Sequence, residues 1–176
     1  INKIEFGGDK KIHVTPLSLD TAAIHALEAH LILFNTGQAR NASDIAIEQI
    51  KNTADKSREL HRMRAMVDVA EKILTSTPVR FADFGALLHD AWQLKRTLSA
   101  KITNSFIDDI YSRARSAGAL GGKLLGAGGG GFMMIFAPPA LHEKIKKTVA
   151  LPHVPFKFEQ EGSKVIFEMP VDNFEV

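Results

Sequence analysis

The sequence predicts an α+β fold, a few antiparallel strands covered on one side by long helices. Three observations carry this expectation. Residues 41–117 place apolar side chains at helical spacing in three long stretches. Past Gly118 the period shortens, and strand-like runs flank a glycine-rich loop. Alternating segments around turn residues lie near both ends of the chain.

Taken in order, Lys3–Phe6 and Lys10–Thr15 read as a hairpin around Gly7-Gly8-Asp9. Leu19–Leu27 reads as a short helix and His30–Phe34 as a buried strand. A polar loop, Asn35 to Arg40, follows. Asn41–Thr75 is predicted helical throughout, capped by Asn41 or Ser43 and followed by Pro78. Its apolar face is expected at Ile47, Ile50, Ala54, Leu60, Met63, Val67, Ala70 and Leu74, because Ile45, Gln49, Asn52, Lys56, Leu60 and Met63 do not make a single apolar seam. Phe81–Leu98 is the second long helix, and Asn104–Ala117 the third, capped by Thr103 or Asn104 and closed by Gly118. Lys123–Leu125 and Phe132–Ala137 are strands, Pro138–Ala150 is a helix, and Val154–Glu159 with Lys164–Met169 form a second hairpin.

Five of the six residues from Gly126 to Gly131 are glycine, with Ala127 the exception. Four adjacent glycines are costly to order, and a plain hairpin needs one or two. The run contains G-x-G-x-x-G at Gly126, Gly128 and Gly131, but a strand follows where a dinucleotide fold requires a helix. A Walker loop fails because Phe132 stands where Lys is required. The remaining readings are a tight turn packed on a neighbouring helix, or a backbone cradle. Glycine there permits positive φ and close approach, and successive N–H groups can receive an anion.

Composition excludes several classes. The chain has 176 residues and a net charge of only +2, which does not mark a nucleic-acid binder. The Arg58/Arg62/Arg64 and Lys144/Lys146/Lys147 clusters read as solvated helix faces. There is no Cys, so disulfides and thiolate metal sites are excluded, and a cytoplasmic setting fits. No apolar stretch reaches the roughly 18 residues of a membrane span. The seven histidines are scattered without metal-ligand spacing, so no metal site is expected from them. No Ser-His-Asp arrangement with a nucleophile elbow is present.

The stretch from Gly122 to Phe132, GKLLGAGGGGF, resembles the third sequence motif of the GHMP kinases. Phe84–Phe132 and LFNTGQARNASDI, Leu33–Ile45, resemble the heptose-phosphate branch of that superfamily. The resemblance covers essentially the whole chain. It implies the C-terminal domain of such a kinase, a ferredoxin-like antiparallel sheet with several long helices, over residues 19–176. Residues 1–18 would be remnant strands of the N-terminal domain. It implies ATP and Mg²⁺ as cofactors, and phosphorylation of a sugar phosphate at its anomeric hydroxyl, D-glycero-D-manno-heptose 7-phosphate above fucose or galactose. A non-catalytic binding module with the same fold is the alternative from another class. The family's Pro-x-x-Gly-Leu-Gly-Ser-Ser loop and catalytic Asp are absent from these residues. The catalytic half is therefore expected upstream of Ile1, and this chain alone is expected to be inactive.

The resemblance implies roles for particular residues. Gly126, Ala127, Gly128, Gly129, Gly130 and Gly131 would support the ATP-phosphate loop. Thr36, Arg40 and Ser43, at a helix N-terminus, would face the acceptor, with Arg40 as a clamp for the 7-phosphate. Lys95, Ser99 and Lys123 are further substrate-binding candidates, although Lys95 and Ser99 also fit an ordinary solvated helix end. A Cβ at Gly129 or Gly130 is expected to block approach of the phosphate loop and to leave the fold largely in place.

Overall fold

The computed structural model describes residues 1–8, 11–39, 42–159 and 161–167. It is α+β. The element order is β1 (Asn2–Phe6), β2 (Ile12–Pro16), α1 (Thr21–Ala29), β3 (Leu31–Asn35), α2 (Ala42–Lys51), α3 (Ser57–Leu74), α4 (Phe81–Arg96), α5 (Ser105–Ser116), β4 (Gly121–Leu124), β5 (Phe132–Phe136), a 3₁₀ turn (Pro139–Leu141) and α6 (His142–Val149). Among the described residues the strands form two sheets, β1-β2 and β3-β5-β4, each antiparallel.

The central sheet follows from strand periodicity. Ile32 and Phe34 of β3, Met133 and Ile135 of β5 and Leu124 of β4 are buried together. Trp92, Ile107, Ile110, Tyr111 and Ala114, from α4 and α5, cover them. Two glycines let α4 lie directly on β4. A Cβ at Gly121 would stand 2.1 Å from the Gly85 carbonyl oxygen, and one at Gly85 would stand 2.4 Å from the Leu120 Cβ. A smaller core gathers Leu27, Leu74 and Phe136, with His30 stacked between Phe81 and Phe136 at 4.4 and 5.2 Å.

Two helices, α1 and α5, start with side-chain caps. The Asp20 carboxylate accepts from the Ala23 amide at 2.6 Å, and Asn104 Oδ1 accepts from the Ile107 amide at 3.0 Å. Gly118 takes φ +110° after α5, as its closing position requires. Arg113 donates to the carbonyls of Thr148 and Val149, neutralising the open end of α6.

Three expectations are corrected. Residues 41–75 do not form one helix. The chain breaks between Lys51 and Ser57, and Ser43 lies inside the first turn of α2, while Asn41 lies outside the described residues. The buried face is only partly the expected one, for Leu60, Met63 and Leu74 turn inward as expected but Ile47, Ile50 and Val67 do not. Ile47, Ile50 and Val67 are exposed, while Ile45 is buried and Leu60 and Met63 pack on the core. Gln49 and Asn52 lie on that same face because their amides are spent on backbone carbonyls, those of Ala127 and Leu98.

The predicted second hairpin does not form among the described residues. His153 instead bridges Phe34, with Asn35 N–H donating to Pro152 and Val154 N–H to Leu33, along the free edge of β3. Beyond it, Glu28 of α1 draws in the Lys157 ammonium and the Phe158 amide, each at 2.7 Å. Those bonds commit the segment to α1 rather than to residues 164–167. Residues 168–169 of the predicted second strand lie outside the described residues.

Candidate functional site

The glycine loop, residues 125–131, joins β4 to β5 at one end of the sheet. Leu125 N–H donates to Phe132 O at 2.8 Å and closes its base. Two other connections meet it there, the loop after β3 (residues 36–39) and the turn between α4 and α5 (residues 97–104). Their contacts with the glycine loop are mainly backbone to backbone. Gly129 N–H donates to Ile102 O at 2.8 Å, and Gly131 N–H to Gln38 O at 2.9 Å. Thr36 returns two bonds to Gly131 O, from its amide at 2.9 Å and its hydroxyl at 2.8 Å. Asn104, which caps α5, also donates to the Gln38 side chain at 3.1 Å.

Close approach explains Gly128 and Gly130, and positive φ explains Gly126 and Gly131. A Cβ at Gly130 would stand 2.4 Å from Gln38 O, and one at Gly128 would stand 2.7 Å from the Ile102 Cα. Gly126, Gly128, Gly129 and Gly131 have φ of +75°, +126°, +73° and +96°. The close neighbour of Gly130 is therefore this chain's own backbone. The expectation that a side chain there would leave the fold in place is corrected, because the clash is internal.

Three unspent loop amides and two lysines define what the site offers. Gly129 and Gly131 amides are spent within the chain, while those of Ala127, Gly128 and Gly130 have no acceptor among the described residues. Lys95 Nζ donates to Gly126 O at 2.7 Å. Among the described residues neither Lys95 nor Lys123 has an ion-pair partner. Burial, and then the charge of Lys123, push the Lys95 ammonium down to about 8. A cation in this position is short of a counter-charge.

That shift has a measurable sign. An amine whose pKa is lower folded than unfolded binds fewer protons in the folded state, so stability rises as pH climbs from about 8 toward the ordinary 10.5. Urea midpoints at pH 7.5 and 9.5 should diverge more for the native chain than for Lys95→Met. Equal divergence in both would show that Lys95 does not titrate in this window.

The structure distributes the sequence-predicted residues unevenly. Gly126 to Gly131, Thr36 and Lys95 meet at the loop. Lys123 lies on β4 at its entrance. Ser99 is buried and its hydroxyl donates to Glu48 at 2.5 Å, while Lys101 pairs with the second Glu48 oxygen at 2.9 Å. Ser43 lies in α2, and Arg40 lies outside the described residues. Sequence reasoning missed Gln38 and Gln49. Nothing local marks Gln38. Gln49 carried a signal, a polar residue at a core-spaced position, which reads as a donor to buried backbone.

Comparison with known proteins supplies the family. Residues 79–151 match the family described as GHMP kinases C terminal. The chain is 32% identical over 169 residues to the D-glycero-alpha-D-manno-heptose 7-phosphate kinase of Campylobacter jejuni subsp. jejuni serotype O:2, covering 93% of this chain and 49% of that protein. It superposes on L. major mevalonate kinase in complex with R-mevalonate with a TM-score of 0.65 at 19% identity, over 81% of this chain and 42% of that one. It superposes on a D-glycero-D-manno-heptose 1-phosphate kinase from Bacteriodes thetaiotaomicron with a TM-score of 0.54 at 21% identity, over 89% and 42%. These two structural likenesses show the fold. The chain spans about half the length of the heptose kinase it matches. Residues 79–151 of this α+β chain, which hold the glycine loop, are thus similar to the GHMP kinase C-terminal family.

Proposed function

We propose that the chain is the C-terminal portion of an ATP-dependent sugar kinase that phosphorylates an anomeric hydroxyl, with D-glycero-D-manno-heptose 7-phosphate as acceptor and the 1,7-bisphosphate as product. The observation that carries this reading is the glycine loop, fastened from both sides and bordered by two lysines without counter-charge among the described residues. The 32% identity to a heptose 7-phosphate kinase supports the acceptor. In-line phosphoryl transfer needs positioning and charge stabilisation more than covalent chemistry, and a rigid loop with nearby cations suits it.

On this reading Gly126–Gly131 support the phosphate end of ATP, with Lys95 and Lys123 supplying positive charge. Thr36, through its bond to Gly131, shapes the loop, Arg40 and Ser43 are assigned to acceptor binding, and Ser99 holds the turn that backs the loop. Among the described residues no group of three or more His, Asp or Glu side chains fits a metal ion. Mg²⁺ is proposed to enter as part of the nucleotide complex. No helix among the described residues is long and apolar enough to cross a membrane. A cytoplasmic setting, where ATP is abundant, completes the proposal.

Residues 1–18 belong, on the same proposal, to the sheet of a preceding domain, and residues 19–176 to the C-terminal domain. The support is an unpartnered face. Cross-strand pairs Ile4–Val14 and Phe6–Ile12 share one side of β1-β2, and all four residues are exposed, Phe6 by 78%. On the opposite side Lys3 binds Asp68 and Glu71 of α3 at 2.8 and 3.0 Å. Limited proteolysis should cut within residues 1–18 of the 176-residue chain and spare them in the full-length gene product. Equal cutting in both would sink this division.

The activity test is ADP release with Mg²⁺ and ATP, comparing the full-length gene product and the 176-residue chain. Acceptors are the heptose 7-phosphate, fucose and galactose. Turnover by the full-length product on the heptose phosphate, and none from the 176-residue chain, is expected. Turnover on fucose or galactose instead would move the acceptor. No turnover on any sugar would leave a non-catalytic binding module.

A further inference from the structure

We infer that Lys95 and Gln49 are positioning residues that turn the amides of Ala127 and Gly128 outward, as a cradle for a phosphate group. The kinase reading supplies the bearer of that phosphate, a nucleotide or a sugar phosphate. The geometry of the cradle stands apart from that reading.

The argument begins with the peptide plane. In a trans peptide the carbonyl of one residue and the N–H of the next point in opposite directions. Among the described residues the single cis peptide is Thr77-Pro78, so the links around Ala127 are trans. Lys95, from α4, holds Gly126 O at 2.7 Å, and Gln49, from α2, holds Ala127 O at 2.9 Å. Two consecutive carbonyls are thereby drawn onto two helices. The following amides, Ala127 N–H and Gly128 N–H, must point away from those helices. Neither has an acceptor among the described residues.

Backbone dihedrals agree. The φ angle is positive at Gly126, not positive at Ala127, and positive again at Gly128. Alternation of this kind makes successive N–H groups into an anion nest. Charge agrees as well. Lys95 and Lys123 repel one another and lack a carboxylate partner among the described residues. An anion in the nest would relieve that repulsion. Gln49 is otherwise unexplained, since a polar side chain on the buried face of α2 needs a partner, and the glycine loop is that partner.

The test uses the full-length gene product and two readouts. Sodium tripolyphosphate is titrated while the Ala127 and Gly128 amide resonances are followed by NMR. ADP release then gives kcat and the KM for each substrate. In the native protein both amides should shift on titration. Lys95→Met and Gln49→Leu should each weaken tripolyphosphate binding by about tenfold, and Lys95→Arg should remain within about threefold of native. The raised KM, for ATP or for the sugar phosphate, identifies whose phosphate occupies the cradle, and kcat should change less than that KM. Variants with native melting temperatures and binding within twofold of native overturn the inference. So does a native protein that releases ADP while neither amide moves. Amide shifts without ADP release on any sugar leave the inference standing and remove the kinase reading.

Discussion

Alanine at position 128 is expected to cost the fold about 2–4 kcal/mol, part from strain at positive φ and part from overpacking. Gly128 has φ +126°, and its added Cβ would stand 2.7 Å from the Ile102 Cα and 2.8 Å from the Ile102 oxygen. These contacts, and a third with the Ile102 carbonyl carbon at 3.2 Å, are all with backbone, so no side chain can swing aside. The loop would lift from the α4–α5 turn and break the bond from Gly129 N–H to Ile102 O. Gly126→Ala is the matched control. Its φ is +75° but nothing lies within 4 Å of the added Cβ, so it should cost only about 1–2 kcal/mol. Urea unfolding of the three proteins measures both effects. Equal losses at 126 and 128 would mean that conformation alone, and not contact with Ile102, demands the glycine.

The second large effect lies behind the loop. Gly121→Ala would place a Cβ 2.1 Å from the Gly85 oxygen and 2.9 Å from the His89 amide nitrogen, both in α4. Helix and strand must separate along their whole contact, costing about 3 kcal/mol or more. For a chain of this length that lowers the melting temperature by roughly 6–12 °C. Gly8→Ala, with nothing within 4 Å, should leave it unchanged. A fall of less than about 3 °C for Gly121→Ala would show that α4 is not seated on β4 as described. Because β4 runs into the glycine loop and α4 carries Lys95, the same change should also displace the candidate site.

Much of this was legible from local pattern. The strand pair at residues 2–16, the limits of α4 and α5 within two residues, and the Asn104 cap all depend on neighbours a few positions away. Other parts were not. The turn between Lys51 and Ser57 has no proline or glycine to announce it. The true buried side of α2, at Ile45, was set aside because Gln49 and Asn52 interrupt it. Periodicity scores polar residues as exposed, yet these two are held inside by carbonyls 78 and 46 positions away. The hairpin expected near the C-terminal end had adequate strand propensity in Val154–Glu159, and lost to Glu28 of α1.

The sequence by itself determined that the chain is α+β, that its glycine loop joins two strands, and that this loop is neither a dinucleotide turn nor a Walker loop. These conclusions follow from periodicity and from which residue succeeds the last glycine. The tertiary structure decided what the glycines approach. Gly131 meets Thr36 across 95 positions of chain, and Gly130 meets Gln38 beside it. It also decided which amides remain unspent and why Lys95 titrates near 8. Hydrogen-bond satisfaction and desolvation depend on what surrounds a group in space, and no local pattern carries that information.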